Sequence, residues 1–483
     1  MRRQVIALSV ANAVALGLGG LAYIVYSGTL TPAQLGLYGI AFALARFAVL
    51  VLDGGLKTAI IKHPADLSAA EETSLTLLSG ALACVLLLGA WIAAAVLPAV
   101  FAITAEDATF CAMFVAVYVA TYPLMVVPTA RLERAMRYVP LSAIESVAIA
   151  LELAGAAPLL LTTGLGIWSF VLAALAGRAL RVAALLAVRG IRWARPEPGN
   201  ASTVKALLKE GAWFQGSLAA SMLRDNLHVL IVAPWFGKAW AGYYAWALQL
   251  AMFSSQIFVA TASRIAIPAH AGTPDFETRW KNTLVQMRWL AALTVPVLAA
   301  VWLLAPAADA AWFDDRWQPA VALLALIFAR MLPGIGTSPL GSLLLVERGA
   351  AALMRANVAW TAIELGGALV ACFVLGPTGL AWSYAVVVWA GFAILLAGLP
   401  NFGSGAAREA LGAILNRPAL WVSVAGAVSI GYLLGGPFVA GTLGRSWDAN
   451  LLAAAAGGLM VIGAGYAAEF AFRRTHGQAE VPR

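Results

Sequence analysis

Apolar stretches of membrane-spanning length follow one another along almost the whole sequence, and they constrain the fold more than any other feature. About 20 mostly apolar residues are needed to cross a bilayer core of roughly 30 Å. Only 11% of the residues are charged, against roughly a quarter in a soluble protein. We therefore predict an all-α, polytopic membrane protein with about 14 transmembrane helices. The predicted spans are approximately 5–26, 35–61, 72–98, 108–130, 138–161, 165–188, 211–236, 240–268, 283–306, 318–346, 353–376, 378–400, 418–440 and 447–472.

The loops between these spans carry their positive charge almost entirely on one side. Twenty Lys and Arg residues fall in one set of loops, and three fall in the other: Lys238, Arg316 and Arg445. Because cytoplasmic loops are enriched in Lys and Arg, both termini are predicted to be cytoplasmic. The net charge of +8 then belongs mainly to a rim facing anionic lipid headgroups and indicates no nucleic-acid partner.

The chain is predicted to contain an internal duplication. Residues 36–47 (GLYGIAFALARF) match residues 242–253 (GYYAWALQLAMF), and the Glu-Arg pair at 133–134 recurs at 347–348. Six spans separate the copies, so both enter the membrane from the same side. Such parallel repeats pack as two lobes, and the seam between them can open alternately to either side.

The duplication predicts four regions. An N-lobe of six helices covers 1–190, and a cytoplasmic linker follows at 191–210. A C-lobe, helices 7–12, covers 211–400, and helices 13–14 with a cytoplasmic tail fill 401–483. The three cysteines lie in apolar spans, so they indicate neither a disulfide framework nor a metal site, and no cofactor is expected.

Span 2 contains three full charges, although each costs about 2.5–3.5 kcal/mol near the membrane centre. Arg46, Asp53 and Lys57 are separated by seven and four residues, so they share one face of a helix. Asp53 and Lys57 can pair directly. The face is predicted to line a polar interior. The alternative is a salt-bridge network that only holds helices together.

Polar residues on the leading helices of both lobes predict a hydrated, cationic cavity along the seam. Its natural ligand would be an anion, and phosphate suits Arg and Lys best. Arg178 and Arg181 lie towards helix ends and are expected to reach the lipid–water interface instead. For Arg224, an ion pair with Asp225 is the alternative. The candidate substrate-binding residues are Arg46, Lys57, Arg224, Arg264, Asn12 and Gln256.

Carboxylates within the spans are candidates for ion coupling, because such groups often carry protons in transporters. The alternative is a structural role, in which these carboxylates bind arginines or hydroxyls. The sequence does not identify the coupling ion. Glu133 and Glu347, next to Arg134 and Arg348, are expected to form ion pairs that order cytoplasmic loops. The coupling candidates are Asp53, Glu145, Glu152 and Glu364.

Three stretches resemble one known family. They read LTPAQLGLYGIAFALARFAVLVLDGGLKTAIIKHP, RLERAMRYVPLSAIE and GLGIWSFVLAAL. Together they are similar to polysaccharide-transport flippases of the multidrug/oligosaccharidyl-lipid/polysaccharide exporter superfamily, across spans 1–12. The resemblance implies movement of a sugar repeat unit on a polyprenyl diphosphate across the bacterial inner membrane. It also implies membrane lipids, a polysaccharide polymerase and chain-length machinery as partners.

In the related lipid II flippases, arginines on helices 1, 2 and 8 meet the diphosphate. Arg46, Lys57 and Arg264 lie on such helices here, whereas span 1 carries no cation. Two other functions are weighed. A drug/cation antiporter of the same superfamily usually relies on an acidic residue in helix 1, and residues 5–26 contain none. A membrane glycosyltransferase or polymerase needs larger loops than this sequence offers.

Overall fold

The computed structural model describes residues 17–62, 66–135, 137–195, 215–400 and 403–415, and these residues contain helices and no strand. Short 3₁₀ turns at Gly166–Trp168 and Gly376–Thr378 precede α9 and α15, and a π turn at His228–Val232 joins α10 to α11. The helices of the described residues are α1 (17–29), α2 (Pro32–Asp53), α3 (Leu56–Lys62), α4 (Ala69–Phe101), α5 (Ala105–Thr121), α6 (Pro123–Arg134), α7 (Tyr138–Ala154), α8 (Ala156–Thr162), α9 (Ser169–Arg189), α10 (215–225), α11 (Ala233–Phe236), α12 (Lys238–Ala271), α13 (Phe276–Trp312), α14 (Gln318–Leu375), α15 (Gly379–Ala397) and α16 (Ser404–Leu415).

Helices of membrane-spanning length dominate the described part of the chain. By length and composition, six helical stretches could cross a bilayer, or seven if α5 and α6, bent by 48°, form one span. The predicted all-α membrane class is confirmed at this level. The count of fourteen spans and the two six-helix repeats stay predictions, and spans 418–440 and 447–472 lie outside the described residues.

The chain forms two compact units. One holds the described residues up to Trp246 together with Arg348–Ser383. The other holds Ala247–Glu347 together with the described residues from Tyr384 onwards. The lobes predicted from the duplication, 1–190 and 211–400, are a different division and stay a prediction.

Capping boxes fix the starts of three long helices. The side chains of Thr31, Ser68 and Thr104 accept hydrogen bonds from the backbone N–H three residues later. In each case the third residue returns a bond to the cap, so two otherwise unpaired N–H groups are satisfied. These caps set where α2, α4 and α5 begin, and hence which side chains face the interior.

Glycines interrupt two helices that would otherwise run on. α2 ends at Asp53, because Gly54 (φ 50°) and Gly55 (φ 81°) take the left-handed conformation that glycine adopts without strain. The prediction of one continuous helix over 35–61 is therefore wrong. Within α14, Gly349 (φ 79°) separates residues 318–348 from 350–375.

The two glycines that correspond in the predicted duplication lie against each other. A Cβ added to Gly36 on α2 would overlap the carbonyl oxygen of Lys238, and one added to Gly242 on α12 would overlap the carbonyl oxygen of Pro32. The two contacts are reciprocal at the offset of 206, because Gly36 corresponds to Gly242 and Pro32 corresponds to Lys238. Two copies that meet across a two-fold axis make reciprocal contacts of this kind, so the observation supports the predicted parallel repeat.

Polar contacts surround this glycine pair. The Lys238 Nζ lies 2.6 Å from the Asp107 carboxylate at the start of α5. The Trp246 indole N–H donates to the Ser27 hydroxyl at 2.8 Å, and both side chains are buried. The first turns of α12 are thus fixed against α1, α2 and α5.

Candidate substrate-binding cavity

A cavity of about 530 Å³ lies among α2, α3, α5, α7, α9 and α10, within one compact unit. This volume falls in the range of small-molecule sites, roughly 300–1,000 Å³. Its walls combine aromatic rings with ionic groups. The lining residues are Tyr38, Phe42, Arg46, Val49, Leu50, Asp53, Lys57, Phe114, Tyr118, Tyr122, Ile149, Glu152, Leu153, Phe170, Ala174, Arg178, Arg181, Leu218 and Met222.

Ion pairs hold three of the four cationic side chains that line the cavity. A charge in a low-dielectric interior is costly unless it is paired. The carboxylates that form these ion pairs lie on α6 and α7. The pairs are Lys57 with Glu133 at 2.7 Å, Arg178 with Glu152 at 3.3 Å, and Arg181 with Glu145 at 2.5 Å.

Arg46 is the fourth cation, and within the described residues it has no ion-pair partner. Its guanidinium carbon lies 5.8 Å from the centre of the Phe42 ring. The side chain is half-buried in the middle of α2. It therefore presents donors of a fixed, bidentate geometry to the cavity, the arrangement that binds phosphate or carboxylate.

Asp53 does not pair with Lys57 as the spacing predicted. Its carboxylate accepts the Tyr122 hydroxyl at 2.5 Å and the backbone N–H groups of Gly55 and Lys57 at 3.2 and 3.4 Å. The helix break at Gly54 exposes these N–H groups, and a carboxylate is a favoured cap for them. Asp53 thus joins α2 to α3, and the Lys57 side chain is left to reach Glu133.

The cavity is balanced in charge rather than strongly cationic. Arg46, Lys57, Arg178 and Arg181 face Asp53 and Glu152, with Glu133 and Glu145 directly behind. The expectation that Arg178 and Arg181 reach the lipid–water interface is also wrong. Carboxylates on the neighbouring α7 hold both side chains, so they point inward.

The two ends of the cavity differ in chemistry. Tyr38, Phe42, Phe114 and Phe170 gather near the first half of α2, whereas the ion pairs gather around its end. Arg46 lies between them, about 12 Å along the helix from Tyr38. A ligand with an anionic centre and a separate uncharged part would match this division.

Arg224 does not line this cavity. Its guanidinium lies 3.8 Å from Glu364 and 3.6 Å from the centre of the Trp360 ring, and it is buried. On the same helix, Ser217 accepts a hydrogen bond from Asn357 of α14 at 2.8 Å, and Arg224 donates to Thr361 of α14 at 3.5 Å. These side chains of α10 therefore contact α14 and do not form a wall of this cavity.

Several predicted site residues cannot be placed in the cavity. Asn12 lies outside the described residues, and so do the side chains of Gln256 and Arg264. Glu364 is fully buried beside Arg224. Glu133 and Glu347 form ion pairs with Lys57 and Arg279, not with their sequence neighbours, because adjacent residues on a helix point in different directions.

A second ionic cluster fixes the segment after α9. Glu72 is fully buried and accepts from Arg131 at 3.1 Å and from Arg192 at 2.5 Å. The hydrogen bond from Arg192 to Glu72 raises the pKa of that guanidinium above its usual value. The start of the predicted linker is therefore bound to α4.

Comparison with known proteins now assigns the chain to a family. The family model described as "Polysaccharide biosynthesis protein" matches residues 28–322, more than half of the sequence. The chain belongs to this polysaccharide biosynthesis protein family. The matched region contains α2 to α13 and all the residues of the cavity. No curated relative matches the chain.

Solved structures similar to this family member are transporters. One, the lipid II flippase MurJ in an inward closed conformation, has a TM-score of 0.73 and 12% identity and covers 97% of this chain and 99% of its own. An inward-facing multidrug resistance MATE transporter of the MOP superfamily has a TM-score of 0.58 and 15% identity, covering 78% and 93%. A MOP superfamily transporter from Pyrococcus furiosus has a TM-score of 0.52 and 13% identity, covering 84% and 96%.

At these identities the likeness establishes the fold alone. The polysaccharide biosynthesis protein has the fold of membrane transporters of the MOP superfamily, and the resemblance predicted from its motifs is confirmed. Its place in a membrane follows from the same fold.

Proposed function

We propose that the protein is a flippase. It moves a polyprenyl-diphosphate-linked oligosaccharide repeat unit from the cytoplasmic to the periplasmic leaflet by alternating access. The translocated repeat unit is used to assemble O-antigen, capsule or exopolysaccharide. A polymerase with its chain-length machinery joins these units into the polymer. The membrane is the bacterial inner membrane, with both termini in the cytoplasm.

The position of Arg46 carries this proposal. Among the described residues it is the cavity cation without a carboxylate partner, and it lies between an aromatic and an ionic region. A diphosphate supplies the missing anion with oxygens that match the guanidinium donors. Membership of a polysaccharide biosynthesis family supplies the class of the attached group.

The charges argue against a drug/cation antiporter. A cationic drug would meet Arg46, which no carboxylate of the described residues neutralises, and the carboxylates that line the cavity already have partners. Glu152 pairs with Arg178, and Asp53 accepts from Tyr122 and two backbone N–H groups. A hydrophobic cation would therefore gain little from a carboxylate whose negative charge is already balanced by Arg178, and Arg46 would repel it.

Deletion of the gene is expected to strand lipid-linked repeat units on the inner leaflet. In spheroplasts, a membrane-impermeant oxidant such as periodate should reach these sugars in the wild type but not in the deletion strain, which should accumulate them. Sugars that reach the outer face at the wild-type rate would refute the proposal. Unchanged sugars together with raised sensitivity to cationic dyes would support the antiporter instead.

Ion coupling, if carried by a proton, is proposed to reside on Glu152. Of the four candidate carboxylates, Glu152 and Asp53 line the cavity, and Asp53 is committed to capping α3. Glu152 can exchange Arg178 for a proton as the ligand enters or leaves. Its protonation and the occupancy of the site are therefore linked directly.

Glu152→Gln is expected to make transport insensitive to a proton gradient, with at least a tenfold loss of the gradient-driven rate. Asp53→Asn should keep that dependence, because its amide oxygen can still accept a backbone N–H. The measurement is transport in proteoliposomes with and without an imposed pH gradient. A Glu152→Gln protein that responds to the gradient like the wild type would remove Glu152 from this role.

A further inference from the structure

The half of the cavity nearest the start of α2 is built of aromatic rings. Phe114, Phe170 and Tyr118 are almost fully buried and form the back of this wall. Tyr38 stacks on Phe170 with ring centroids 4.2 Å apart. Tyr38 and Phe42 are only half-buried, so they form the part of the wall that a ligand can touch.

Tyr38 and Phe42 together form a continuous apolar platform. They lie one helical turn apart, with ring centroids 6.0 Å apart and planes inclined by 31°. Arg46 occupies the next turn of the same face. The platform therefore begins directly beside the guanidinium proposed to hold the diphosphate.

Polar groups lie at the edge of this platform. The Tyr118 hydroxyl donates to Glu152 at 3.0 Å, and Arg178 approaches the other carboxylate oxygen at 3.3 Å. Two carboxylate oxygens offer about four acceptor positions, so this one retains capacity for further donors. A site with ring faces and a nearby carboxylate suits a ligand that is apolar on one side and rich in hydroxyls at its edge.

These features indicate which part of the substrate occupies the aromatic half of the cavity, the sugar or the prenyl chain. A pyranose presents C–H groups on its face and hydroxyl donors around its rim, which match the platform and Glu152. A prenyl chain would match the rings but would remove water from Glu152 without replacing its hydrogen bonds. That desolvation is unfavourable.

We propose that the aromatic half of the cavity is a carbohydrate subsite, in which Tyr38 and Phe42 stack against the first sugar and Glu152 accepts from its hydroxyls. The inference rests on the proposed flippase function and adds an orientation. The sugar lies beyond Arg46, towards the start of α2, and the diphosphate lies at Arg46. Phe42 then contributes more to binding the sugar than to binding the lipid.

The test compares two probes on the purified full-length protein. One is undecaprenyl diphosphate, and the other is the same lipid with a single sugar, in separate preparations with glucose, galactose or N-acetylglucosamine. Affinities are measured by titration in nanodiscs. For the wild type, at least one sugar-bearing probe should bind about tenfold more tightly than the bare lipid, a difference of ~1.4 kcal/mol, because the ring contacts and the Glu152 hydrogen bonds are made only by the sugar.

Phe42→Leu should reduce the gain in affinity from the sugar to less than about threefold. The affinity for bare undecaprenyl diphosphate should fall by a smaller factor, because the Arg46 guanidinium is kept. Phe47→Leu is the matched control, since Phe47 is a half-buried aromatic residue on α2 that does not line the cavity. For Phe47→Leu, the increase in affinity from bare to sugar-bearing lipid should equal that of the wild type.

Each other outcome has a separate meaning. If Phe42→Leu weakens both probes equally, or leaves the gain intact, the carbohydrate subsite is refuted. If no sugar adds affinity to the wild type, the subsite is refuted as well, while binding of the bare lipid still supports the flippase. If the wild type binds none of the probes, the proposed function itself fails.

Discussion

Arg46→Ala is expected to abolish polysaccharide export while the protein still inserts in the membrane. The variant removes the guanidinium that has no carboxylate partner in the described part of the chain, and it leaves the three ion pairs of the cavity intact. Hydrogen bonds to charged groups contribute ~1.5–3 kcal/mol, so affinity for undecaprenyl diphosphate should fall roughly ten- to a hundredfold. Titration in nanodiscs and surface polysaccharide in a complemented deletion strain are the two measurements.

Two further variants make this expectation specific. Arg46→Lys keeps the charge but not the bidentate geometry, so its affinity should be intermediate. Arg288→Ala removes an exposed arginine on α13, outside the cavity, and should behave like the wild type. Wild-type export from Arg46→Ala, at an equal amount of membrane protein, would overturn the assignment of Arg46 to the substrate.

Gly36→Ala is expected to be the most destabilising single-methyl change in α2. The added Cβ would overlap a backbone carbonyl oxygen of Lys238, which cannot rotate away as a side chain can. Such overpacking costs ~1–3 kcal/mol or more, so the apparent melting temperature in detergent should drop by several degrees. The apparent melting temperature is measured by size-exclusion chromatography of samples heated to a series of temperatures.

Gly39→Ala provides the control on the same helix, one turn away. Its Cβ would lie 3.6 Å from the Cβ of Ala245, an ordinary van der Waals contact. This variant should melt within about one degree of the wild type, because an alanine favours a helix over glycine and fills no occupied space. Equal melting temperatures for both variants would show that α2 and α12 can separate without cost.

The fold class was predictable because the signal is long and repeated. Some twenty apolar residues in succession, with Lys and Arg confined to alternate loops, leave few alternatives to a helical membrane protein. The family was predictable from three stretches of residues, and the match over 28–322 agrees with them. Arg46 and Lys57 stood out because charges are rare in such segments.

The partners of those charges were not predictable from spacing within one helix. Asp53 lies four residues before Lys57, but the break at Gly54 turns its carboxylate towards backbone N–H groups. Arg178 and Arg181 are predicted to reach the lipid–water interface, although Glu145 and Glu152, seven residues apart on α7, offer a complementary signal. Ion pairing between helices depends on which helix faces pack together, and spacing within a single helix carries no information about that packing.

The aromatic wall had no sequence signal at all. In a soluble protein, an apolar face stands out against polar positions. In a membrane helix, Phe42 and Phe47 look alike, although one lines the cavity and the other does not. Only the packing of α5 and α9 against α2 distinguishes them.

The glycine contact between α2 and α12 also bears on how such a gene can change over time. Elsewhere, each half of a duplicated chain is free to accumulate differences, because a substitution in one copy meets residues that the other does not share. Under the predicted duplication, Gly36 and Gly242 are corresponding positions that contact each other, so a larger residue at either one displaces both backbones. We therefore expect these few turns to keep the sequence similarity of the two predicted halves longest.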